Sequence, residues 1–212
     1  MKSILILFLL FINIIANAQT FSGGVNLGFN ASQVDGDDLS GFHKLGLNAS
    51  VMTFVDIAKN ISTSLELQFS QKGSQSGFSP EKYSNSYRLK TDYLELPLML
   101  HFTDKGGMQF SGGISYSRLI NYREFVDKIE LDYSLLNKSE SPKKQNFNYI
   151  LGISYFMTSK VSISIRFDHS IKAFRYSTIS NYPNFRQVHR LVSVRLQYIF
   201  RGINIQRHKK QF

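Results

Sequence analysis

Apolar and polar residues alternate one for one in eight separate stretches of this chain, and that period of two constrains its fold more than any other feature. The first stretch sets Phe21, Val25, Leu27, Phe29 and Ala31 against Ser22, Gly24, Asn26, Gly28, Asn30 and Ser32. Successive side chains of an extended backbone leave opposite faces, so such a stretch is a strand with one greasy and one polar side. The pattern returns around Leu45 to Val55, Ile61 to Phe69, Leu94 to Phe102 and Met108 to Tyr116. It returns again in Phe147 to Tyr155, Val161 to Phe167 and Val192 to Phe200. A helix would repeat its apolar positions every 3.6 residues or so, a rhythm these segments lack.

The connections alternate in length with the same regularity. Asp56 to Asn60, Thr103 to Gly107 and Thr158 to Lys160 are tight, whereas Gln33 to Phe42, Lys72 to Arg88, Asn121 to Lys144 and Lys172 to Gln187 are long. Short turns at one end and long loops at the other are the habit of barrels that cross an outer membrane. The expected fold is therefore all-β: one closed, antiparallel, up-and-down transmembrane β-barrel of eight strands, with both termini on the periplasmic side.

A soluble barrel of the lipocalin kind also alternates, with its apolar face turned inward to a ligand. The polar face decides between the two. It is mostly Ser, Gly, Asn and Gln, which suits a cramped lumen better than a hydrated exterior, so the greasy face is expected to meet lipid. Only a closed barrel satisfies every backbone group of a strand in hydrocarbon. Phe21, Phe102, Tyr155, Tyr198 and Phe200 fall near the strand ends where an aromatic girdle belongs. Pro97 interrupts the fourth strand and is read as a bulge, since a proline cannot donate to the ladder.

Export is expected from the N-terminus. Lys2 precedes the apolar run Ile4 to Ile15, and Ala16, Asn17 and Ala18 close it, as in a cleaved secretory signal. A spanning helix needs roughly 20 apolar residues. The division is then residues 1–18 as signal peptide, 19–200 as barrel and 201–212 as a basic periplasmic tail. The absence of cysteine excludes disulfides, thiolate metal sites and a lipidated cysteine. A net charge of +10 admits anionic surfaces as partners, but export argues against nucleic acid.

Two segments, Leu65-Glu66-Leu67-Gln68-Phe69-Ser70-Gln71-Lys72-Gly73 and Asp92-Tyr93-Leu94-Glu95-Leu96-Pro97-Leu98-Met99-Leu100, resemble paired signatures of the PorT-like outer-membrane β-barrel proteins of Bacteroidetes. The resemblance covers essentially the whole chain after residue 18. It implies an outer-membrane barrel, one branch of whose family serves type IX protein secretion, and it supplies no catalytic residues.

The candidate site is a lumenal charge network of Glu66, Glu95, His101, Arg166, Asp168 and Arg195, all on the polar faces of their strands. Ionisable groups at membrane depth are costly, and could form either a polar pathway with a ligand-binding centre or a salt-bridged plug. No cofactor or metal is expected, because the histidines at 43, 101, 169, 189 and 208 lack the spacing of a ligand set. The triplet Asp168, His169, Ser170 suggests an outer-membrane lipid hydrolase, but strand neighbours point apart and His169 cannot reach the Ser170 proton. The expected role is structural or partner-binding, with the lipid of the outer membrane and an envelope or secretion-machinery protein as partners. A lipid-modifying enzyme and a soluble periplasmic carrier are the alternatives.

Overall fold

A computed structural model describes residues 21–37, 39–77, 86–131, 141–177 and 185–201 of the chain. The proposed signal peptide and the tail from residue 202 onward lie outside them, as do parts of all four long connections.

The strands are β1 (Phe21–Asp35), β2 (Lys44–Ala58), β3 (Ile61–Gln75), β4 (Tyr87–Thr103), β5 (Met108–Val126), β6 (Ile129–Glu130), β7 (Gln145–Phe156), β8 (Val161–Ser170), β9 (Arg175–Ser177) and β10 (Phe185–Ile199). Eight of them form the barrel wall in the order β1-β2-β3-β4-β5-β7-β8-β10, each antiparallel to the next. The short β6 pairs with β5 and the short β9 with β10. The sheet closes because β10 also pairs with β1, from Gly24 opposite Ile199 to Asp35 opposite Val188. No strand edge of the wall is therefore left open to the bilayer.

Alternation sorts the side chains as the sequence implied. In β3 Leu67 is 46% exposed while its neighbour Gln68 is 4% exposed. Leu94, Leu96, Leu98, Leu100 and Phe102 line the outside of β4, and Phe147, Tyr149, Leu151, Ile153 and Tyr155 the outside of β7. Each outward run is about the 9–11 residues that a tilted strand needs to cross hydrocarbon. Phe21, Phe102, Tyr155, Tyr198 and Phe200 all lie on the outward face near the tight turns. An apolar exterior wrapped around a polar interior inverts the soluble barrel and excludes the carrier alternative's inward greasy face.

Arginine at Leu98, midway along the β4 belt, should destabilise the barrel by about 2–4 kcal/mol in urea titrations of protein folded into phospholipid vesicles. A cost below about 1 kcal/mol would show that this face does not meet hydrocarbon.

Pro97 does not make a bulge. Leu65 pairs with Leu98 and Gln68 with Glu95 in one unbroken register, and the ladder simply lacks rungs at the two intervening positions. The missing proline N–H is absorbed by omission, with Pro97 still opposite Ser115 on the other side. Irregularities fall elsewhere, at Asp56/Ala58 and where Ile120 is left unpaired beside Asp92 and Tyr93.

The staves also outrun the apolar belt at the loop end. β3 continues past Phe69 to Gln75, β4 begins at Tyr87, and β5 continues to Val126. The expected loops beginning at Lys72 and Asn121 are thus partly strand. Alternation in hydropathy could not mark this, because the outward face there is no longer regularly apolar: Gln71, Arg88, Lys90, Asp92, Arg118, Asn121 and Arg123 stand where leucine and phenylalanine would continue the pattern, with Ile120 and Val126 scattered among them.

Candidate functional site

The lumen is filled by polar side chains arranged in tiers. Nearest the tight turns it is apolar instead, where Met52, Phe54, Phe156 and Ile199 cluster inside the barrel. His101 sits next to this plug, its ring 5.2 Å from that of Phe54. Its two ring nitrogens face Ser64 Oγ and Ser111 Oγ, each at 2.8 Å. Of the six candidate residues it alone makes no contact with an opposite charge.

The middle tier is built on Glu66. Inward-facing positions of β3, β8 and β10 bring the two guanidiniums to one carboxylate across the lumen. Arg166 donates to both Glu66 oxygens, through Nη1 to Oε2 at 3.1 Å and through Nη2 to Oε1. Arg195 Nη1 donates to Oε2 at 3.2 Å and also to Gln68 Oε1 at 3.2 Å. Ser50 adds a longer hydroxyl bond. All three charged groups are almost wholly buried.

The next tier joins Glu95 and Asp168 through a residue that the sequence reading assigned to a loop. Lys72 Nζ lies 2.7 Å from Glu95 Oε1 and 3.7 Å from Asp168 Oδ2, and the lysine is 2% exposed. Glu95 also accepts from Gln68 Nε2 at 2.7 Å and Ser117 Oγ at 2.8 Å, which couples this tier to the one below. Lys72 further lies 5.5 Å from the centre of the Tyr93 ring, and Tyr93 Oη meets His189 Nε2 at 3.3 Å.

A third knot closes the loop end and has no counterpart in the sequence-based candidates. Glu124 accepts from Arg175 Nη1 at 2.6 Å and Nη2 at 3.2 Å, from Tyr87 Oη at 2.7 Å and from Tyr122 Oη at 2.6 Å. Arg175 Nε donates to Gln187 Oε1 at 2.8 Å. Val34, Leu89 and Phe174 pack alongside, and Phe174 stacks on His189 at 4.1 Å. Burial by itself would raise the Glu124 carboxyl, but the hydrogen bonds and charge of Arg175 outweigh it and hold it below its ordinary value. Burial, and then the Glu124 charge, push the Tyr87 phenol up.

The triplet Asp168, His169, Ser170 divides as strand geometry requires. Asp168 faces Lys72, and Ser170 is buried with Asn146 and Asn148. His169 lies on the other face, stacked on Tyr149 at 5.2 Å.

Comparison with known proteins agrees with this geometry. Residues 17–174 match the family described as outer membrane protein beta-barrel domain. The chain belongs to that family. This outer-membrane barrel is also similar to solved bacterial structures. The attachment invasion locus protein Ail of Yersinia pestis shares 12% identity at a TM-score of 0.51, over 84% of this chain and 98% of that one. A second Ail structure, in complex with the heparin analogue sucrose octasulfate, gives 10% identity and a TM-score of 0.50, over 85% of this barrel and 99% of Ail. Neisserial surface protein A aligns at 12% identity with a TM-score of 0.49, over 86% and 99% of the two chains. At these identities the likeness is one of fold. No curated protein sequence matches the barrel.

Proposed function

We propose that this protein is a closed outer-membrane barrel that acts by binding at its exposed end, and neither conducts solutes nor catalyses a reaction. The observation that carries the reading is the tiered lumen. Glu66, Arg166 and Arg195 meet across it, and Lys72 bridges Glu95 and Asp168 one level further on. Eight strands enclose a space only wide enough for side chains, and here those side chains are tied together by charge. The candidate residues thus form a plug, and its place is structural.

In this reading the chain is exported by its N-terminal signal, its tight turns and termini face the periplasm, and its long loops face outward. The segments 65–73 and 92–100 make a protein of the secretion apparatus the first envelope partner to seek. Ail, a barrel of this fold, is known in complex with the heparin analogue sucrose octasulfate, which supports a binding role. Against a lipid hydrolase stand His169 and Ser170, which point to opposite faces of β8.

Purified protein in planar bilayers is expected to leave the baseline conductance unchanged. Sustained open-pore currents would overturn the plug. Affinity isolation from native envelopes tests the partner: co-isolation of secretion components supports the accessory role, and recovery of the barrel alone rejects it.

A further inference from the structure

The outward face of β4 and β5 changes character abruptly at the loop end of the belt. On β4 the series Leu98, Leu96, Leu94 gives way to Asp92, Lys90 and Arg88, and on β5 Ile114 and Tyr116 are followed by Arg118, Asn121 and Arg123, with the exposed Ile120 among them. Lys90 and Arg123 stand directly opposite each other in the ladder. Like charges in that position repel, so the pair calls for an anion from outside the two strands. Asp92, the single carboxylate on this face, accepts from Asn121 Nδ2 at 3.0 Å. Among the described residues no carboxylate pairs with Lys90, Arg118 or Arg123.

Two further features shape the surface into a site. Lys90 Nζ lies 5.5 Å from the Phe125 ring centre, which holds the stem against the wall. The unpaired Ile120 opens a cleft of about 420 Å³ lined by Leu119, Asn121, Tyr122, Pro142 and Lys144, which brings in a fourth cation. The turn end is unlike this, for its cavity mixes Asp56 and Asp104 with Lys59 and Lys105.

Height identifies the anion. Arg118 stands opposite Leu94, the last lipid-facing leucine of β4, while Lys90 and its partner Arg123 stand four positions beyond it, roughly 13 Å further along the strand, and long basic side chains bend back toward the interface. That is the level of phosphate groups on lipid headgroups. We propose that Lys90, Arg118 and Arg123, with Lys144 at the cleft, bind the phosphorylated saccharide headgroup of an outer-leaflet glycolipid while its acyl chains lie along the leucines of β4. The proposal rests on the outward orientation of the long loops given above.

The test uses the full protein extracted in dodecyl maltoside and titrated with bis-phosphorylated lipid A or its dephosphorylated form, with bound lipid counted by native mass spectrometry. The phosphorylated form should bind at least about tenfold more tightly. A surface cation changes affinity for an anionic headgroup about fivefold, so K90Q, R118Q and R123Q together should lower it on the order of 100-fold. K59Q with K105Q should leave it unchanged. Equal binding of the two lipids by the wild-type protein overturns the proposal, and this comparison stands even if the triple variant does not fold. Complete displacement of lipid by millimolar pyrophosphate would assign the site to a free anion and also overturn it. Binding in micelles does not depend on orientation, which is read separately by labelling Glu130→Cys in intact cells.

Discussion

Glutamine at Glu66 should destabilise the barrel by about 3–5 kcal/mol, because it leaves two buried guanidiniums facing each other without a carboxylate. The substitution keeps the shape of the side chain and removes only its charge. Arg166 and Arg195 both depend on that charge, and neither can shed a proton to relieve the loss. Urea titration of protein folded into vesicles reads the effect as a lowered midpoint. Replacing the whole tier with Glu66→Leu, Arg166→Met and Arg195→Met should recover most of the deficit, since a well-packed apolar set often equals or exceeds a buried ion cluster in stability. If the single substitution were neutral, the tier would not hold the lumen together. If the triple were as unstable as the single, the loss would lie in packing and not in unpaired charge.

Methionine at Lys72 is expected to cost a similar amount, about 3–5 kcal/mol, for the mirror-image reason. Glu95 and Asp168 would then share one buried tier with no cation between them. A carboxylate stranded in this way can be neutralised by a proton, as a guanidinium cannot be by losing one. The deficit relative to wild type should accordingly shrink in titrations run at acid pH, while the deficit of Glu66→Gln should not be relieved by proton release from the arginines. A Lys72→Met protein with wild-type stability at neutral pH would mean that the ammonium group does not bridge the two acids.

Lys72 also shows where sequence reasoning loses its grip. The eight staves were legible because a strand in the bilayer must place an apolar side chain at every second position, and Leu65, Leu67 and Phe69 do so. Beyond Phe69 the outside of the wall meets water and headgroups, the requirement lapses, and the strand continues through Gln71, Lys72 and Gly73 without a hydropathic mark. The residue that ties Glu95 to Asp168 is lost with that mark. Glu124 and Arg175 are missed for the same reason, since both lie in stretches that read as loop until β5 and β9 bring them together. The five acids and arginines expected in the lumen were legible from parity alone, because each has the parity of the polar face of its strand. His101 shares that parity, yet it stands apart on Ser64 and Ser111 because it lies closer to the turns, next to the apolar plug. Pro97 misled because a proline within a strand suggests a displaced register, whereas the wall accommodates it by leaving out rungs.

The lumenal charges are divided unevenly between the two halves of the polypeptide. Glu66, Lys72 and Glu95 come from the first half with an excess of acid, and Arg166, Asp168 and Arg195 from the second with an excess of base. A four-stranded half curling into the bilayer by itself would carry its surplus into hydrocarbon with nothing to cancel it. The two surpluses cancel only in the closed wall, where Arg166 and Arg195 of the second half meet Glu66 of the first.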